Sequence, residues 1–185
     1  PGAAVRGEVK GAQTLYDDSA ARGGRPILWK TGHSLIKKKM REEGALLAGE
    51  MSGHVFFADR WYGFDDAIYA TLRVLEIVAA ARRPLHELLA DLPVTFSTPE
   101  IRVPCSDGSK FEVVDLVRRH FAARYRVIDV DGARILYADG AWGLVRASNT
   151  QPVLVLRFEA DSEARLTEIR AEVEEAVERA RDALS

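Results

Sequence analysis

Ala45-Leu46-Leu47-Ala48-Gly49-Glu50-Met51-Ser52-Gly53-His54 passes from an apolar run straight into a polar, glycine-flanked loop. Four apolar residues suit a short strand, and a polar loop leaving a strand end is where α/β sheets place ligand contacts. Working backwards, Ser34 stands ready to cap a helix that runs through Leu35 and Ile36 to about Glu43 and stops near Gly44. Before it, Pro26-Ile27-Leu28-Trp29 reads as a strand arriving after Gly23-Gly24. Short apolar runs alternate with amphipathic stretches from Val5 to about Ala80, the pattern of a small α/β unit.

Working forwards, Asp65 or Asp66 caps a long helix in which Ile68, Leu72, Leu75 and Ala79 recur at helical spacing, ending near Arg82-Arg83-Pro84. A short helix over residues 84–90 follows. The stretch to Pro99 reads as an extended connector, because residues before proline avoid the helical region. The boundary falls there. Residues 1–94 are predicted to form an α/β domain with a mixed sheet and flanking helices. Residues 95–185 are predicted to form an α+β domain with helices on one sheet face.

In the second domain a strand around Glu100 to Val103 leads to a helix from about Lys110 to Ala122, with Phe111, Val114, Val117 and Phe121 on its apolar face. Asp131-Gly132 and Asp139-Gly140 are turn signals, and residues 129–137 read as a hairpin. Pro152 to Phe158 is a central strand. The last helix carries an apolar stripe of Leu166, Ile169, Val173, Val177, Ala180 and Leu184.

Composition narrows the function classes. The chain has 185 residues, of which 47% are hydrophobic and 29% charged. No apolar run reaches the roughly 18 residues of a membrane helix, so the chain reads as soluble, globular and without a membrane partner. A formal charge of −2, from 26 basic and 28 acidic residues, gives no electrostatic footprint for nucleic acid. A single cysteine, Cys105, leaves no intrachain disulfide framework and points to the cytoplasm. The opening Pro1-Gly2-Ala3-Ala4-Val5-Arg6 has neither a start methionine nor a signal pattern, and reads as the interior of a longer protein.

Three polar stretches can carry chemistry. Arg146-Ala147-Ser148-Asn149-Thr150-Gln151 lies between two predicted strands and holds the parts of a phosphate cradle: a bidentate guanidinium, two hydroxyls and backbone amides. A solvated turn has the same composition. Glu50, Ser52 and His54, spaced by two, would face one side of a locally extended loop and offer an acceptor, a hydroxyl and an imidazole to a polyhydroxylated ligand. A plain turn with an exposed histidine is the competing reading. Lys30-Thr31-Gly32-His33 is a third polar break after a strand. Asp65-Asp66 resembles a metal pair, but neighbours on a helix diverge by about 100°, so capping explains them better. Phosphate-binding glycine loops, HExxH and GxSxG are all absent.

Taken together and in order, Lys30-Thr31-Gly32-His33-Ser34, Gly49-Glu50-Met51-Ser52-Gly53-His54 and Arg146-Ala147-Ser148-Asn149-Thr150 resemble motifs of the third and fourth domains of the α-D-phosphohexomutase family, in its bacterial phosphomannomutase/phosphoglucomutase branch. The resemblance implies an isomerase that interconverts hexose 1-phosphates and hexose 6-phosphates through a bisphosphorylated sugar, with Mg2+ as cofactor and glucose 1,6-bisphosphate as activating intermediate. Glu50 and Ser52 would hold sugar hydroxyls. His54 would contribute to acid/base chemistry, and His33 would line the cleft near it. Arg146, Ser148, Asn149 and Thr150 would clamp the phosphate that is not reacting. Lys10 would also contact substrate, although Glu8-Val9-Lys10-Gly11 stands where Asp-Val-Lys-Cys or Asp-Val-Lys-Ser is common.

The family's phosphoserine and magnesium-binding aspartate loop lie in its first two domains, and neither motif occurs here. The resemblance therefore implies a substrate-binding half, inactive alone, monomeric, whose partners are hexose phosphates and the N-terminal domains of the same protein. No metal ligands are expected within it. A stand-alone, non-catalytic sugar-phosphate-binding module is the alternative.

Overall fold

Three apolar runs of the first unit become parallel neighbours, and parallel strands require crossovers that helices supply. A computed structural model describes residues 2–184. Strand β1 (Ala4–Glu8) is followed by helix α1 (Gln13–Ala21), β2 (Arg25–Trp29), α2 (His33–Glu43) and β3 (Leu47–Gly49). Strands β4 (Val55–Phe57) and β5 (Phe64–Asp65) and helix α3 (Ala67–Ala81) complete the unit, with a 3-10 turn at Leu85–Leu89. The sheet order is β2-β1-β3-β4-β5; the first three strands are parallel and the last two antiparallel. Glu8 stands opposite Trp29 and Arg6 opposite Ala48, so β1, β2 and β3 release their loops at one sheet edge.

The core of this unit is small. Ile36 and Met40, one turn apart on α2, pack with Ala4, Ala45, Ala48 and Phe56. On α1, Tyr16 donates its hydroxyl to the Glu8 carbonyl at 2.7 Å and lies so close to β1 that a Cβ at Gly7 would stand 2.4 Å from that hydroxyl.

Several expectations need correction here. Ser34 does not cap α2: the N-cap position is Gly32, with no side-chain cap bond, and Ser34 lies inside the first turn. Gly44 does end the helix, in the left-handed conformation. The strand expected at residues 45–48 is displaced to Leu47–Gly49, because Ala45 is spent in the core and its amide closes onto Met40. Of the two aspartates, Asp66 caps α3 by accepting from the Tyr69 amide at 2.9 Å, whereas Asp65 ends β5. The apolar stripe of α3 faces outward, with Ile68 78% and Leu72 and Leu75 each 57% exposed.

The chain divides between Pro93 and Val94. The second unit runs β6 (Phe96–Ser97), β7 (Ile101–Pro104), α4 (Lys110–Ala122), β8 (Arg126–Ile128), β9 (Ala133–Leu136), β10 (Trp142–Ala147), β11 (Val153–Ala160) and α5 (Glu163–Asp182). Its antiparallel sheet has the order β6-β11-β10-β9-β8, with β7 also paired to β11. The stretch expected as connector is thus partly strand, and Thr98 extends it through bonds of 3.0 and 3.1 Å with the Phe158 backbone.

Alternation with period two puts Ile135, Val145, Leu154, Leu156 and Phe158 on one sheet face. They form one core with Val113, Val117 and Phe121 of α4 and Ile169, Val173 and Val177 of α5. Each such side chain contributes about 1.5–3 kcal/mol on burial. Helices therefore cover one face of this sheet, as expected. Phe111 is the exception: it is 60% exposed, and Val113 takes the core position instead. Among the described residues no helix is long and apolar enough to cross a membrane.

Candidate functional site

The shared edge of β1, β2 and β3 gathers the first group of polar residues. Glu8 is fully buried at the end of β1, and its carboxylate accepts from the Lys10 amide at 2.9 Å, the Thr31 hydroxyl at 2.8 Å and the Met51 amide at 3.3 Å. Glu50 turns towards the neighbouring loop, where its Oε1 accepts from the Gly32 amide at 2.8 Å. The loops after β2 and β3 are therefore joined through carboxylates. Arg6, 1% exposed on β1, donates to the Lys30 carbonyl at 3.2 Å, while its Nε and Nη1 have no hydrogen-bond partner. Burial pushes the Arg6 guanidinium down to about 10, against the opposing pull of Tyr16 and of the Glu50 and Glu8 carboxylates.

The Glu50–His54 loop is not extended, so the expected one-sided array of Glu50, Ser52 and His54 does not form. Glu50 and His54 instead close a reverse turn: the Glu50 amide donates to the His54 carbonyl at 2.9 Å, and the Gly53 amide to the Glu50 carbonyl at 3.0 Å. Gly53 sits at φ 91°, which favours glycine. Ser52 lies exposed at the tip. His54 turns to β5, where its Nδ1 meets Asp65 Oδ2 at 2.5 Å. His33 is exposed at the start of α2, and Lys10 is largely buried just past β1.

The second group lies in the turn between β10 and β11. Arg146, on the last part of β10, is buried and pairs through Nε with Asp131 Oδ2 at 3.2 Å. Gly132 makes room for that strand: a Cβ there would lie 2.4 Å from the Val145 carbonyl and 2.7 Å from the Arg146 Cβ. Ser148 is buried, and its hydroxyl accepts from the amides of Thr150 at 3.3 Å and Gln151 at 3.2 Å, folding the turn around itself. Asn149 and Thr150 stand exposed at the tip. Arg102 reaches the Gln151 side chain at 2.8 Å, and the buried Lys110 reaches the Gln151 carbonyl at 3.1 Å. Two cations thus meet the turn at Gln151, each also paired with a carboxylate, Arg102 with Glu100 and Lys110 with Asp107.

Comparison with known proteins decides the family. Residues 1–96 match the family model described as phosphoglucomutase/phosphomannomutase, alpha/beta/alpha domain III, and residues 100–176 match that of the C-terminal domain. The chain belongs to the phosphoglucomutase/phosphomannomutase family. A phosphomannomutase/phosphoglucomutase of Pseudomonas putida is 51% identical over 171 residues, which are 92% of this chain and 37% of that protein. A phosphoglucomutase of Neisseria meningitidis is 45% identical over 181 residues, 96% of this chain and 39% of its own length. The crystal structure of a phosphoglucomutase/phosphomannomutase family protein from Burkholderia thailandensis superposes with a TM-score of 0.87 at 46% identity, covering 97% of this chain and 38% of that one. The chain thus spans little more than a third of the relatives it matches.

In phosphoglucomutase/phosphomannomutase terms, Lys10, His33, Glu50, Ser52 and His54 lie in the part matched by domain III, and Arg146 to Thr150 in the part matched by the C-terminal domain. Glu8, Arg6 and Asp65 escaped the reading of site residues from sequence, since each works through strand register rather than local spacing. Among the described residues no group of three or more His, Cys, Asp or Glu side chains is placed to hold a metal ion. No step through a metal is assigned to these residues.

Proposed function

We propose that this chain is the substrate-binding half of a phosphohexomutase that interconverts hexose 1-phosphates and hexose 6-phosphates through a bisphosphorylated sugar. The observation that carries the reading is the family match across both units, joined to the polar turn at residues 146–151.

In the second unit Arg146 is the phosphate anchor. Asp131 meets the guanidinium at Nε, and on this reading the terminal nitrogens are the ones assigned to the phosphate. Ser148 shapes the turn, and Asn149 and Thr150 offer exposed side chains to the remaining phosphate oxygens. In the first unit Glu50 and Ser52 read sugar hydroxyls: Gly32 holds Oε1 of Glu50, and Oε2 is the oxygen assigned to the ligand. His54, backed by Asp65, is the candidate acid/base group, with Lys10 and His33 beside the same sheet edge. Mg2+, the phosphoserine and the glucose 1,6-bisphosphate cycle belong on this reading to domains preceding the present residues. The outward apolar stripe of α3 supports such a partner, because exposed apolar patches of this kind mark interfaces.

Isothermal titration calorimetry tests the reading. Glucose 1-phosphate is expected to bind more tightly than inorganic phosphate, and free glucose more weakly than either. Equal affinity for glucose 1-phosphate and phosphate would remove the sugar-recognising role from this chain.

A further inference from the structure

Glu8 is neither at a loop tip nor open to solvent, yet it accepts donors from three separate segments. Its Oε2 serves the Lys10 amide at 2.9 Å and the Thr31 hydroxyl at 2.8 Å, and its Oε1 serves the Met51 amide at 3.3 Å. Both oxygens face a backbone N–H, so only a carboxylate meets the pattern; a glutamine amide would set its own N–H against the amide of Lys10 or that of Met51, whichever way it turned. Glu50, one residue before Met51, is tied in turn to Gly32, one residue after Thr31. The loops after β2 and β3 are thus pinned twice, once through Glu8 and once through Glu50. Arg6, two residues before Glu8 and on the same face of β1, places its positive charge within reach of both carboxylates. A buried carboxylate held by charge-assisted bonds is a rigid support, and losing one acceptor strands buried donors.

We propose that Glu8 is a positioning residue, whose carboxylate sets the Glu50–His54 loop against the Lys30–His33 loop and thereby sets the affinity of the first unit for a hexose phosphate. Glu8 touches no ligand in this role; it acts through Met51 and Thr31. The inference rests on the sugar-phosphate reading for its effect on affinity, while its structural part stands alone.

The test compares the parent chain with Glu8→Gln and Thr31→Val, by calorimetry with glucose 1-phosphate and inorganic phosphate and by hydrogen exchange at the Met51 amide. Glu8→Gln is expected to weaken glucose 1-phosphate about tenfold or more, to leave phosphate within about twofold, and to speed Met51 exchange about tenfold or more. Thr31→Val keeps the carboxylate and removes one donor, so about a threefold loss for glucose 1-phosphate is expected. Thr31→Val decides the matter if Glu8→Gln does not fold. Unchanged glucose 1-phosphate affinity in a folded variant, or an equal loss for phosphate, overturns the proposal. If the parent chain binds no sugar phosphate, the functional reading fails; Met51 exchange then still decides the role of Glu8, and unchanged exchange in the variants overturns it.

Discussion

Oδ2 of Asp65 lies 2.5 Å from Nδ1 of His54, brought there because β5 folds back beside β4 with Asp65 opposite Phe56. A carboxylate oxygen accepts, so a neutral His54 is expected to hold its proton on Nδ1, towards Asp65, and to leave Nε2 as the unprotonated nitrogen. Nitrogen-15 NMR of the ring is expected to show the Nδ1–H tautomer when neutral, and Asp65→Ala is expected to shift the balance towards Nε2–H. The same tautomer mixture in both proteins would mean that Asp65 does not orient His54.

The pairing of Arg146 with Asp131 leads to a second expectation. Arg146→Ala should weaken glucose 1-phosphate and inorganic phosphate alike, by about 1.5–3 kcal/mol, the range for hydrogen bonds to charged groups. Calorimetry on the two ligands checks this. A loss confined to the sugar phosphate would show that Arg146 does not act through the phosphate.

Gly132 sits at φ 93° with the Val145 carbonyl where a Cβ would stand, 2.4 Å away. Alanine there meets both backbone strain and a clash against a strand that cannot give way. Gly132→Ala is expected to cost about 2 kcal/mol or more in urea denaturation. Gly140, at φ 89° but with nothing within 4 Å of a Cβ, should lose less when changed in the same way. Equal losses would contradict the close approach at Gly132.

The Tyr137 phenol donates to Glu172 Oε2 at 2.9 Å. Burial first, and then the Glu172 bond and charge, push this phenol far above its ordinary value of 10.0. The folded chain therefore keeps a proton that the unfolded chain releases. The stability linked to it is complete below about pH 10 and is lost as pH rises beyond that value. Tyr137→Phe should be about 1–2 kcal/mol less stable than the parent near neutral pH. The gap should narrow as pH rises above about 10. Denaturation midpoints at two pH values test this, and a constant gap would contradict it.

Much of this architecture was legible because the hydrophobic pattern of the second unit is strongly periodic. Helix α4 was placed at its observed ends, and the stripe of α5 holds Ile169, Val173, Val177 and Ala180 in the core. Phe111 misled because its neighbour Lys110 takes the buried position at the start of the helix, paired with Asp107 at 2.6 Å, and adjacent helical residues diverge by about 100°, which leaves Phe111 outside while Val113 and Val114 face the core. Helix α1 went unseen because it buries only Tyr16 and has no capping side chain. Strands β4 and β5, three and two residues long, are too short to show alternation. The polar loops were legible as candidates, but not their internal geometry. Glu8 reaches Met51 across 43 residues of sequence, and such a bond follows from the register of β1 against β3, which no local spacing reveals.

The most direct test of the central claim is an amide NMR titration of this chain with glucose 1-phosphate, using inorganic phosphate and free glucose as controls. The expected result is that the sugar phosphate shifts the amides of residues 50–54 and those of residues 146–150, while phosphate shifts only the second set. No shift in either set on addition of glucose 1-phosphate would contradict the assignment of this chain as a substrate-binding half.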